Sequence, residues 1–124
     1  TVTSGGARLL SKRLASPLKN IEEINARLEN ITYFSTATGT TNKVLSTLKG
    51  TPDIERSISR LGLTRGSPRD LGIIRNCLRV ASEIKEILDS TSIPQQVVSL
   101  AESLSGFEAL KKTKSKFIYD FNRY

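Results

Sequence analysis

The chain has 124 residues, enough for one domain or part of one that buries roughly two thirds of its unfolded surface. Apolar residues make up 37% and aromatic residues 6%, with no Trp, and nineteen Lys and Arg against twelve Asp and Glu leave a net charge of +7. With no His and one Cys, histidine triads, His-based zinc sites and an internal disulfide are excluded; the charge admits an anionic partner such as nucleic acid but says nothing of fold.

Helical period governs the chain from its start. Leu9, Leu10 and Leu14 share one side of a short first helix that Pro17 closes. Asn20 caps a second helix, with Glu23 at the capping-box position and a stripe of Ile21, Ile24, Leu28 and Ile31 that Phe34 extends. Residues 35 to 41, Ser-Thr-Ala-Thr-Gly-Thr-Thr, have low helix propensity and are expected to form a loop. Val44, Leu45 and Leu48 mark a short helix ending at Gly50. Thr51-Pro52-Asp53 reads as a cap followed by proline, opening a helix that turns Ile54, Ile58 and Leu61 inward.

The stretch SRLGLTRGSPRDLGIIRNCL, residues 59 to 78, ends that helix and restarts at once. Ser67 is a good N-cap, Pro68 sits at the first helical position, and Asp70 brings a carboxylate to the positive end of the new dipole. Gly66 suits a turn requiring positive φ. The helix that follows, from about Ser67 to Leu88, carries two apolar rows: Leu71, Ile74, Leu78, Ala81 and Ile73, Cys77, Val80, Ile84. An arc that wide predicts a central helix packed on two sides, with Arg75, Asn76, Arg79 and Glu83 solvated. After a loop at Asp89, Pro94 opens a last helix with Val97, Leu100, Ala101 and Leu104 aligned. No alternating strand pattern or hairpin turn occurs, so the expected fold is all-α, an irregular bundle of about five to seven helices. Residues 111–124, KKTKSKFIYDFNRY, carry five bases and four aromatics; strand, fraying helix and disordered end remain equal readings.

Chemical groups are scarce. Cys77 has no His partner and falls on the apolar side of the central helix, where a small core residue is expected and a reactive thiolate is not. The carboxylate pairs Glu22-Glu23, Asp53-Glu55 and Glu83-Glu86 sit at helix starts or polar faces, explained by the dipole or by Arg56 and Arg79. No phosphate-binding GxxxxGK[ST] run occurs, and Ser4-Gly5-Gly6-Ala7 lacks the strand a dinucleotide loop requires. No catalytic, cofactor-binding or metal-ligating residue is assigned. Between Arg56 and Arg79 stand six Arg, no Lys and a single acid, Asp70; they suit solvated faces and interdomain contacts, or planar contacts with phosphate. The Lys111, Lys112, Lys114, Lys116 run with Phe117, Tyr119, Phe121 and Tyr124 suits a charged end, or a backbone-and-stacking contact with nucleic acid.

Several of these residues together form a recognisable series. Thr1-Val2-Thr3, Gly6-Ala7-Arg8-Leu9-Leu10, Leu14, Pro17-Leu18, Ile24, Arg27-Leu28, Asp53-Ile54-Glu55-Arg56, Ser59-Arg60-Leu61 and Gly66-Ser67-Pro68-Arg69-Asp70-Leu71 follow in order over residues 1 to about 110. The series resembles the start of the core helical domain of the MutS family of DNA mismatch-repair proteins. Arg13 stands where that family has Trp, and residues 111–124 depart from its usual continuation. The resemblance implies a helical core, or lever, domain over residues 1–110 ahead of a DNA clamp, in a parent that reads mispaired bases as a dimer and carries a C-terminal ATPase using ATP and Mg. The domain itself is then no enzyme: its expected work is to link the DNA-reading parts to the ATPase, with mismatched duplex DNA, a second subunit and other domains as partners. The rival reading is an autonomous basic helical module that binds nucleic acid directly. A start at Thr1 with no Met anywhere suggests an excised fragment; no leader pattern, no membrane-length apolar run and one cysteine fit a cytoplasmic setting.

Overall fold

The helix from Pro68 to Asp89 (α5) organises the rest. In the computed structural model, which describes residues 1–106, it follows α1 (Ser4–Ala15), α2 (Ile21–Thr36), α3 (Thr38–Leu48) and α4 (Ile54–Gly62), and precedes α6 (Gln95–Ser103). The tail at 111–124 lies outside the described residues. Six helices and no strand among the described residues agree with the all-α expectation. α5 packs against α3, α4 and α6, and α2 packs against α3 and α6. A helix with three neighbours needs a wide apolar arc, which is the pattern its sequence carries.

The core is small and sits at the α5–α6 end. Val80, Ile84 and Leu88 of α5 meet Val97 and Ala101 of α6, and Tyr33, Phe34, Val44, Leu48, Ile93 and Leu104 close around them. Tyr33 and Phe34 stand edge to face with ring centroids 5.1 Å apart. Many apolar side chains remain outside it. Leu9, Leu10 and Leu14 of α1 are exposed, as are Ile21, Leu28 and Ile31 of α2, so much of the stripe read on α2 faces away from the core.

Four local expectations are corrected. The segment at 35 to 41 is not a loop: α2 continues to Thr36, only Ala37 breaks the helix, and α3 begins at Thr38. Thr41 Oγ1 reaches back across the break to the Phe34 carbonyl at 2.5 Å, while Thr36 Oγ1 donates to the carbonyls of Thr32 and Tyr33 within the last turn of α2. The packing of α3 against α2 and α5 overrides the low propensity that suggested a loop. The cap of α4 is Asp53, not Thr51, and Pro52 precedes it. A carboxylate at the cap also complements the helix dipole. On α4, Ile58 is 53% exposed while Ser57 is fully buried, because the helix turns its small hydroxyl face onto α5. On α6, Pro94 occupies the cap and Leu100 points outward.

Candidate functional site

Two helix joints concentrate the polar chemistry of the molecule. The first links α4 to α5. α4 ends in a Schellman-type turn: the Arg65 amide donates to the Arg60 carbonyl at 2.9 Å and the Thr64 amide to that of Leu61 at 3.1 Å. Thr64 takes the left-handed position, with φ 56°, that glycine ordinarily fills. At the corresponding place after α3 the chain does use Gly50, φ 81°. Gly66 meets a different demand from the positive φ expected of it: a Cβ there would stand 2.8 Å from Leu61 Cγ and 2.9 Å from its Cα. The turn is so tight that position 66 admits only hydrogen.

Asp70 closes this joint. Its carboxylate accepts from the Ser67 amide at 3.0 Å and from Ser67 Oγ at 2.9 Å, completing a capping box with Pro68 at the helix start. Across the turn, Arg60 of α4 donates to Asp70 Oδ1 through Nε at 2.9 Å and also through Nη2, which reaches Ser57 Oγ as well. Asp70 is 3% exposed. The Arg60 guanidinium, with help from Ser67 and Ser57, holds its carboxyl well below the usual carboxylate range in spite of burial. Bonds from α4 and from the turn before α5 thus converge on one carboxylate.

The second joint ties α1 to the start of α4. Arg8 grips Asp53 with both terminal nitrogens, Nη1 to Oδ2 at 2.7 Å and Nη2 to Oδ1 at 2.8 Å, and reaches Glu55 through Nε at 3.1 Å and through Nη2. Ser4 Oγ adds a bond to Asp53 at 3.3 Å. Arg8 also keeps the Asp53 carboxyl well below its ordinary range, and the carboxylates in turn raise the Arg8 guanidinium. Arg56, expected to serve Asp53, does so from within α4, its amide at 3.4 Å and Nε at 3.3 Å. Sequence reading missed Arg8 as the principal partner, because the two lie 45 residues apart and no local spacing links them.

Arg79 pairs with Glu83 and donates to Asn76 Oδ1. Arg65, Arg69 and Arg75 are exposed. Arg13 borders a groove with Leu18, Ala26 and Ile31. Cys77 is a buried core residue whose thiol donates to the Pro52 carbonyl at 3.5 Å, and burial pushes its pKa up, so no activated thiolate arises. Among the described residues there is no cluster of three or more metal-ligating side chains, and no helix is long and apolar enough to cross a membrane. The Lys111–Tyr124 basic and aromatic candidates lie outside the described residues.

The arrangement defines a class: an all-α domain in which ion pairs and caps tie neighbouring helices together at two joints. Comparison with known proteins gives the family. The profile described as MutS domain III matches residues 1–120. The DNA mismatch repair protein MutS of Ruegeria sp. (strain TM1040) is 44% identical over 110 residues, covering 89% of this chain and 12% of the relative. That of Rhizobium meliloti (strain 1021) is 40% identical over 105 residues, covering 85% of this chain and 12% of the relative. No solved structure matches. The chain belongs to the MutS domain III family, and it spans 12% of the length of these relatives.

Proposed function

We propose that the domain is the lever segment of a DNA mismatch-repair protein, holding parts that read mispaired DNA in fixed relation to parts that hydrolyse ATP. The observation that carries this reading is the α4–α5 joint, where Asp70 ties Arg60, Ser57 and Ser67 together and Gly66 lets the turn close on Leu61. A joint so constrained transmits a displacement of α4 to α5 instead of absorbing it. Relatives named as mismatch-repair proteins support the setting. ATP, Mg, mismatched duplex and a second subunit belong, in this reading, to the whole protein; the segment hydrolyses nothing by itself.

The test titrates perfect and mispaired duplexes onto the chain at two salt concentrations. A lever segment shows weak, equal binding that fades with salt, since +7 net charge gives counterion-release binding without base readout. Tighter binding to the mispaired duplex that survives high salt would establish the rival, an autonomous nucleic-acid module. In a MutS-type protein containing the segment, Ser67→Ala should weaken the coupling of DNA binding to nucleotide turnover; loss of stability with coupling intact would confine Ser67 to folding.

A further inference from the structure

The two joints are built differently, and the difference has a mechanical consequence. At the α4–α5 joint the ion pair is backed by close helix packing and a fully buried Ser57. α1 has no buried residue at all. Among the described residues, its side-chain hydrogen bonds to other elements come from Ser4 and Arg8 alone, and all of them end on Asp53 and Glu55. Beneath α1, where packing would be expected, lies an apolar seam of about 490 Å³ bordered by Leu9, Pro52, Cys77, Leu78, Ala81 and Leu104. Among the described residues, α1 is therefore held at one end by charge, above this seam, and is joined to α2 by residues 16 to 20.

Asp53 is satisfied with or without α1. It is the N-cap of α4, and the Arg56 amide and Nε remain on it when Arg8 leaves. Separation of Arg8 thus exposes two carboxylates already stabilised by the positive end of α4, and breaks no helix. Glu55 is largely exposed and Arg8 partly so, which keeps the cost of rehydrating them small. We propose that α1 is a detachable arm, clasped to the bundle by Arg8 on Asp53 and Glu55, whose release opens the apolar seam while α2–α6 stay folded. The inference stands apart from the proposed lever role: it concerns the compliant joint of the domain, next to its rigid one.

The test is amide hydrogen exchange on the 124-residue chain, with the modification rate of the Cys77 thiol as a second reading from inside the seam. Arg8→Gln removes the clasp. Asp53→Asn weakens it while keeping a side-chain oxygen to cap α4. The unmodified chain is compared at about 0.1 M and about 1 M salt, between which the screening length falls from roughly 10 Å to roughly 3 Å. Each change should speed exchange in α1 and thiol modification together, by about three- to tenfold, the range of a good exposed ion pair, while α5 amides keep their rates. Exchange in α1 indifferent to both variants and to salt would overturn the proposal, showing apolar attachment. Rates rising equally in α1 and α5 would also overturn it, showing that Arg8 supports one cooperative fold. Should Arg8→Gln fail to fold, the salt series and Asp53→Asn give the same decision.

Discussion

At the scale of single residues, backbone and charge set the strongest constraints. Thr64 holds a left-handed conformation that costs an L-residue with a β-branched side chain about 1–2 kcal/mol. Thr64→Gly should therefore stabilise the chain by about 1 kcal/mol after the extra unfolded-state freedom of glycine is counted, read as a higher urea midpoint with unchanged slope. Gly66→Ala should do the reverse, by about 1–3 kcal/mol, because its methyl meets Leu61 backbone as well as side chain. Asp53 and Asp70 bear on pH. Both carboxyls are held below their ordinary value in the folded chain, so the unfolded chain binds protons first as pH falls. Their contribution is complete above the ordinary carboxylate range and is lost as pH drops through the folded values. Urea midpoints measured from pH 7 down to pH 2 should fall steadily below about pH 4, and Arg60→Met should lower the midpoint at pH 7 and flatten that fall, because Asp70 without its counter-charge no longer binds a proton less readily in the folded chain than in the unfolded one. An acid profile identical in the two proteins would show that Arg60 does not set the Asp70 pKa.

At the scale of elements, burial separates positions that sequence period treats alike. Leu88 and Ile58 both lie on apolar rows, yet Leu88 is in the core and Ile58 faces solvent. Leu88→Ala should cost about 2–5 kcal/mol, and Ile58→Ala should stay within about 0.5 kcal/mol of the parent. Leu78→Ala should fall at the lower end of the first range, since Leu78 already borders the seam beneath α1 and its loss enlarges an existing gap. Denaturant midpoints of the three variants rank the faces directly. The α4 result carries the general lesson: Ser57, not Ile58, is the buried residue, because a short hydroxyl lets α4 come close to α5 and serve Arg60 and Asp70.

At the scale of the whole molecule, the balance of apolar surface is unusual. Among the described residues, eight apolar ones are buried, while eleven large ones, from Val2 to Leu100, are exposed. Exposed apolar surface on α1 and α2 should let the folded chain bind an apolar fluorescent dye without denaturant. Binding that appears only on unfolding would show that these side chains are covered in solution. The same small core, with the net charge of +7, makes a marginally stable fold whose charged joints matter more than they would in a larger domain.

The sequence by itself determined the helices and most of their ends. Asn20 and Ser67 cap where they were read to cap, and α5 runs from Pro68 to Asp89 against an expected Ser67 to Leu88. These are local matters of propensity, period and capping, which a dozen residues decide among themselves. The family too was legible, because its motifs are short and follow in order. Only the tertiary structure decided what the motifs do to one another. Gly6-Ala7-Arg8 and Asp53-Ile54-Glu55 stand far apart in the chain and meet in the clasp; Ser59-Arg60-Leu61 and Gly66-Ser67-Pro68-Arg69-Asp70 meet in the joint. The helical period states that a side of a helix is apolar but not what covers it, so the outward Leu14 and Ile21 and the inward Ser57 could not be read from it. Which face is buried depends on helix crossing and approach, and those are set by contacts between residues that no local spacing connects.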